Sequence, residues 1–133
     1  MEINYLWDTN TAIYFLQDQF PKQAAEFIDR ILVDEQPAIS VISEMELLCW
    51  DSTDFNDWKI LNGFIRNAVI IDLEQEVKHM AISIRRVYKT KLPDAIIAAT
   101  AIAYKSTLIT HNQTDFKKIK DLTLIDPFEM EDD

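Results

Sequence analysis

The sequence predicts one α/β domain in which a five-stranded, mostly parallel sheet carries helices on both faces. Short apolar runs, Ile3 to Trp7, Ala38 to Ile42, Val69 to Ile71, Thr107 to Thr110 and Leu122 to Ile125, alternate with longer segments whose apolar residues fall at helical spacing. Parallel strands need crossovers, and crossover helices must cover both sides of the sheet. With 133 residues, 48% of them apolar and 27% charged, the chain has the proportions of a single core.

The elements follow in order. The first run ends at Asp8-Thr9-Asn10, a turn into a first helix. After Pro21, the positions Ala24, Phe27, Ile28, Ile31 and Leu32 make one helical stripe. The second run leads into Ser43-Glu44-Met45-Glu46, and Phe55, Trp58, Leu61 and Ile65 make another stripe. The third run ends at Asp72, followed by a helix with Val77, Met80, Ala81, Ile84 and Tyr88 inward. Asp94 opens a nearly all-apolar helix, Ala95 to Ala103, whose small residues suit close packing against a sheet. The fourth run ends in Thr110 to Asp115, and the fifth is followed by Asp126-Pro127-Phe128.

Composition removes several function classes. A single glycine, Gly63, excludes the glycine-rich loops that cradle phosphates or dinucleotides, and nothing in the sequence marks a linker or repeat. A lone cysteine, Cys49, allows neither an intramolecular disulfide nor a thiolate metal site and reads as a packing residue. No apolar stretch approaches the roughly 20 residues of a membrane span, and Glu2 stands where a signal peptide carries basic residues, so the expected location is the cytoplasm. A net charge of −10 argues against a broad positive face for nucleic acid. The tail Glu129-Met130-Glu131-Asp132-Asp133 supplies four of the acids, and a carboxylate cluster becomes far less negative once it binds a divalent cation.

In open α/β sheets ligands bind beyond the carboxyl ends of the strands, where this chain concentrates its acids. Each acid has a local reading and a functional one. Asp8 is a turn residue, with Asn10 capping the first helix, or a ligand. Ser43 and Glu46 match a capping box, with Ser43 as the cap. Asp94 after Pro93 is a helix starter or a ligand favoured by the helix dipole. Asp115 sits where a short helix begins, with Thr114 capping, and Asp72 is assigned to capping. Four carboxylates crowded together without a cation would repel one another and raise their pKa values, whereas that number of hard oxygen donors suits magnesium or manganese.

Together these residues resemble the PIN-domain family and, within it, the toxin ribonucleases called VapC. The resemblance spans nearly the whole chain and rests on four motifs in family order: Leu6-Trp7-Asp8-Thr9-Asn10; Ile39-Ser40-Val41-Ile42-Ser43-Glu44-Met45-Glu46-Leu47-Leu48; Asp94-Ala95-Ile96-Ile97-Ala98-Ala99-Thr100-Ala101; and Leu108-Ile109-Thr110-His111-Asn112-Gln113-Thr114-Asp115-Phe116. It implies a PIN-like domain over residues 1–128, with 129–133 as a short acidic tail. Asp8, Glu46, Asp94 and Asp115 become the catalytic, metal-binding quartet; the family register selects Glu46 over Glu44. Thr110 and Asn112 would position the fourth-strand loop, and Thr9 and Asn10 would orient Asp8. The resemblance further implies an Mg2+- or Mn2+-dependent endoribonuclease, a homodimer, and an antitoxin whose C-terminal segment blocks the site. Where many members carry a glycine after the position of Leu48, this chain has Cys49-Trp50.

A metal-activated water would then cleave RNA to leave a 3′-hydroxyl and a 5′-phosphate, with no catalytic role required of His79 or His111. His111 should face away from Thr110 and Asn112 if the strand alternates. Arg85, Arg86, Lys89 and Lys91 form the densest basic patch, suited to an RNA backbone or simply to a solvated helix face; Lys117, Lys118 and Lys120 form a weaker one. Two competing functions fit the general layout. One is aspartyl phosphotransfer, although Asn10 stands where a phosphatase needs a second Asp. The other is an inactive PIN-like binding module, although all four acids are present.

Overall fold

A computed structural model describes residues 2–50 and 54–130, except for the side chain of Phe55. Within them the chain runs β1 (Tyr5–Trp7), α1 (Thr9–Leu16), α2 (Lys22–Asp34), β2 (Ala38–Ser40), α3 (Val41–Leu48), α4 (Phe55–Asn67), β3 (Val69–Ile71), α5 (Gln75–Tyr88), α6 (Leu92–Ala103), β4 (Thr107–Ile109), α7 (Gln113–Phe116) and β5 (Leu124–Ile125), and closes with a 3-10 turn at Pro127–Glu129. Glu129, the first residue of the expected tail, belongs to that turn; 131–133 lie outside the described residues.

The strands pair in parallel throughout, but the expected single five-stranded sheet is divided. β1, β4 and β5 form one ladder in the order β1-β4-β5, and β2 and β3 form a second. β2 lies beside β1 without a ladder between them. The second strand is also shorter than its apolar run. The chain turns helical at Val41, because Ser40 accepts a hydrogen bond from the Ile42 amide at 3.2 Å and caps α3.

Alternation along the strands sorts the core into two layers. Leu6, Ala38 and Leu108 join Val77, Ala81, Ile84 and the α6 residues Ala95 to Ala99 on one face. Trp7, Ile39 and Ile109 join Ala12, Ile28, Ile31, Leu47, Leu61 and Phe64 on the other. Helices therefore cover both faces, α5 and α6 on one and α1, α2 and α4 on the other, as expected. The stripes predicted for α2 and α5 supply these contacts; of the α4 stripe, Leu61 and Ile65 do so, Trp58 is exposed, and the Phe55 side chain lies outside what is described. α6 is the buried helix its composition predicts, with Ala95, Ala98, Ala99 and Ala101 fully covered.

Several local expectations are corrected. Ser43 does not cap α3; it lies buried in the helix's first turn. Asp72 does not cap α5, whose N-cap position is Glu74, and only the Asp72 carbonyl is engaged there, by the Glu74 amide. Asn10 does not cap α1: Asp8 does, accepting from the Thr9 amide at 2.8 Å. Thr114 lies inside α7, whose N-cap position is Asn112. Cys49 is exposed, so it is not a packing residue. With so little glycine the turns fall to other residues: Asp18, Lys89, Lys105 and Asp121 take left-handed φ values of 53° to 70°. No described helix is long and apolar enough to cross a membrane.

Candidate active site

Register brings Asp8 beside Thr110. β1 pairs with β4 so that Trp7 lies opposite Ile109, and the next residues out, Asp8 and Thr110, meet beyond the strand ends: the Thr110 hydroxyl donates to Asp8 Oδ2 at 2.8 Å. The Asp8 amide donates to Ile109 O at 3.1 Å, and the Thr11 hydroxyl donates to the same carbonyl at 2.7 Å, which fixes the start of α1 against β4. Asp8 is thus buried, terminates a strand, and caps a helix with its other oxygen.

The other acids arrive from separate segments. Glu46 projects from α3 and accepts from the Thr9 hydroxyl at 2.7 Å; that hydroxyl also shares a hydrogen bond with the buried Ser43 Oγ at 2.8 Å. Ser43 is a site residue that sequence reading missed, since the capping-box pattern assigned its hydroxyl to a helix end. Asp94 is the third residue of α6, after Leu92 and Pro93. Asp115 is the third residue of α7, and Asn112 Nδ2 donates to its Oδ2 at 2.8 Å. The Asn112 amide in turn donates to Thr110 Oγ1 at 3.0 Å, so one loop grips both Asp8 and Asp115.

The carboxylates feel one another. Burial pushes the Asp8 carboxyl up to about 6, with the charges of Asp94 and Glu46 adding to the rise and the Thr110 and Thr9 hydrogen bonds opposing it. Asp94 is also raised, first by burial, then by the charges of Asp115 and Glu46, with Lys91 pulling the other way. In their present rotamers no three His, Cys, Asp or Glu side chains among the described residues stand close enough to share one ion. The donor set nonetheless fits a hard divalent cation: all four side chains offer carboxylate oxygens, and two of them are raised, first by burial and then by the charges of their acidic neighbours.

The remaining predicted residues divide. Asn10 is exposed, one residue into α1, and no contact ties it to Asp8. Of the basic patch, Lys91 is the member whose charge reaches Asp94. Arg85 spends one guanidinium N–H on Thr90 O at 3.1 Å, and Lys89 is the left-handed residue that ends α5. His79 is exposed and within 3.0 Å of Gln75 Nε2. β4 ends at Ile109, so strand alternation does not set the direction of His111; its ring pairs instead with Asp126 at 3.0 Å.

A family model described as the PIN domain matches residues 5–122. The chain belongs to the PIN-domain family. Solved structures agree with the fold of this PIN domain. A toxin-antitoxin complex from Klebsiella pneumoniae is similar at 29% identity and TM-score 0.73, covering 96% of this chain and 100% of that one. VapBC-1 from nontypeable Haemophilus influenzae is similar at 23% identity and TM-score 0.80, over 96% and 100% of the two chains. VapBC2 from Rickettsia felis, bound to a DNA fragment from its promoter, is similar at 24% identity and TM-score 0.79, over 92% and 98%. Among curated proteins none matches significantly.

Proposed function

We propose that this PIN domain is a metal-dependent endoribonuclease and the toxin of a toxin-antitoxin pair. The observation that supports the nuclease reading is that Asp8, Glu46, Asp94 and Asp115, from four chain segments, lie near enough to act on one another's charge, with Asp8 raised to about 6 by burial and by its acidic neighbours. Such a cluster favours a bound cation, because the cation relieves both the desolvation and the repulsion. The toxin reading draws support from the solved toxin-antitoxin complexes of similar fold, which also motivate an antitoxin partner. A homodimer and a cytoplasmic location complete the proposal.

Asp8 and Asp94 would hold Mg2+ or Mn2+, with Glu46 and Asp115 completing the oxygen set. When bound, the ion supplies charge neutralisation at the scissile phosphate and acidifies water near it. The protein's own part is orientation. Thr110 orients Asp8, Thr9 orients Glu46 with Ser43 bonded behind it, and Asn112 orients Asp115, so that closing on a cation would take side-chain movement from a held starting arrangement. Lys91, whose charge reaches Asp94, would be the member of the basic patch to meet an RNA phosphate. Hydrolysis by attacking water leaves a 3′-hydroxyl and a 5′-phosphate.

The test incubates purified protein with total RNA in manganese or magnesium. Cleavage should vanish with chelator and in Asp94→Asn, and cleavage surviving both would reject the metal mechanism. Substituting Arg85 and Arg86 together should weaken RNA binding and flatten its salt dependence if the α5 patch meets the backbone; an unchanged slope removes it from the interface. Co-expression with the adjacent open reading frame should yield a stable complex if that frame encodes the antitoxin. Aspartyl phosphotransfer finds no support, since Asn10 occupies the position where its second acid would stand.

A further inference from the structure

On the far side of the loop that grips the acids lies an aromatic platform the proposed chemistry does not use. The His111 ring stacks on Phe128 with centroids 4.1 Å apart and planes 29° apart. Phe128 packs in turn on Tyr14 of α1, at 5.0 Å, and on Phe20, at 5.7 Å. His111 Nδ1 lies 3.0 Å from the buried carboxylate of Asp126, which is itself anchored by accepting from the Phe128 amide at 2.9 Å. A carboxylate partner requires Nδ1 to carry its proton, so both the ring's orientation and its hydrogen-bonding edge are fixed. Yet the His111 side chain is 47% exposed. Phe128 takes one face, Asp126 the Nδ1 edge and Tyr14 an edge-on contact at 6.2 Å, which leaves the opposite face for solvent.

We propose that the open face of His111 is a nucleobase-stacking site for single-stranded RNA crossing the acids, an inference that rests on the ribonuclease reading. Position supports it: Thr110, bonded to Asp8, and Asn112, bonded to Asp115, flank His111 directly. The ring thus stands on the opposite side of the same loop, where a strand with one phosphate among the acids would meet it on continuing over that loop. Charge supports it too. A chain of net charge −10 gains little from phosphates outside the metal site, and a π-face attracts any base without needing positive charge. A preoriented, half-exposed ring loses little freedom on stacking, unlike a free surface side chain. The site would accept any base, with preference set by stacking strength.

The experiment uses the full chain carrying Asp94→Asn to block cleavage, with magnesium and a short single-stranded oligoribonucleotide bearing 2-aminopurine at successive positions. One position should be quenched on binding. In the same background His111→Ala should weaken binding about tenfold, within the range that a base–aromatic stack contributes, and abolish that quenching, whereas His111→Phe should retain affinity within about threefold. Making the quenched position abasic should cost the unsubstituted His111 protein a similar factor, a measurement that does not depend on any His111 variant folding, and should erase the difference between His111 and Ala. Equal losses for Ala and Phe, or no cost from the abasic position, would overturn the stack and leave His111 as a clamp on the C-terminal turn. RNA cleavage by the wild-type protein without any quenched position sinks this proposal alone; absence of both binding and cleavage sinks the ribonuclease reading with it.

Discussion

The hydroxyl of Thr110 donates to Asp8 Oδ2 at 2.8 Å, joining the ends of two neighbouring parallel strands at residues 102 positions apart. The bond favours the ionised form of a carboxyl that burial otherwise drives toward neutrality. Thr110→Val keeps the shape and removes the donor. It should cost about 1–3 kcal/mol of stability, the usual penalty for a buried polar group left unpaired, and it should move the pH midpoint of manganese binding upward, because Asp8 must ionise to coordinate. Thr110→Ser should restore both. Denaturant melts and calorimetric titrations across pH measure the two effects, and an unmoved midpoint would remove Thr110 from the tuning of Asp8.

Asp8 also predicts the direction of the pH dependence of folding. A carboxyl raised from 3.8 to about 6 binds more protons folded than unfolded within that window. Metal-free stability should therefore fall as pH rises through it and level off above. Asp8→Asn lacks this slope, so the variant should gain on the wild type by at most about 3 kcal/mol between pH 4 and pH 7, as about two pKa units imply. Saturating manganese should narrow that gap by stabilising the wild type. Parallel curves for the two proteins would show that Asp8 titrates normally.

Asn112 acts through Asp115, so Asn112→Ala should lower metal affinity or cleavage by about 10- to 100-fold, as loss of a residue that orients a ligand usually does. Its effect on thermal stability should be small, because Asn112 is only partly buried and α7 spans four residues. Combining it with Asp115→Asn should add little further loss, since the two act as a pair.

Gly63 lies within α4, and a methyl group added there meets nothing within 4 Å. Gly63→Ala should stabilise the protein by about 0.5–1 kcal/mol through helix propensity and reduced freedom of the unfolded chain. A chemical melt suffices to check it, and a loss of stability would mean that α4 bends at this point.

What was legible in the sequence was whatever periodicity carries. The stripes of α2, α4 and α5 and the all-apolar α6 follow from spacing alone, and the strand ends fix the edge on which acids collect. Local chemistry was harder to read. Ser40 and Ser43 are both plausible caps, and a serine three residues before a glutamate reads as a capping box. Yet the helix begins earlier, because Ala38 to Ser40 suffices as a strand and Val41 and Ile42, though β-branched, continue into the helix. Ser43 was thereby freed to bond Thr9 across 34 positions, a contact no local pattern encodes. The split between β1 and β2 is equally invisible, since a run's apolarity specifies burial but not which edges pair.

The dual use of Asp8 sets the order in which this scaffold can shed its chemistry. Asp8 is buried, ends a strand, caps a helix and receives a bond from across the sheet, so its replacement disturbs folding as well as any reaction. Asp94 and Asp115 are only partly covered and sit in the first turns of their helices. A lineage that sheds its acids should therefore lose one of those two first and keep Asp8 longest, for the fold.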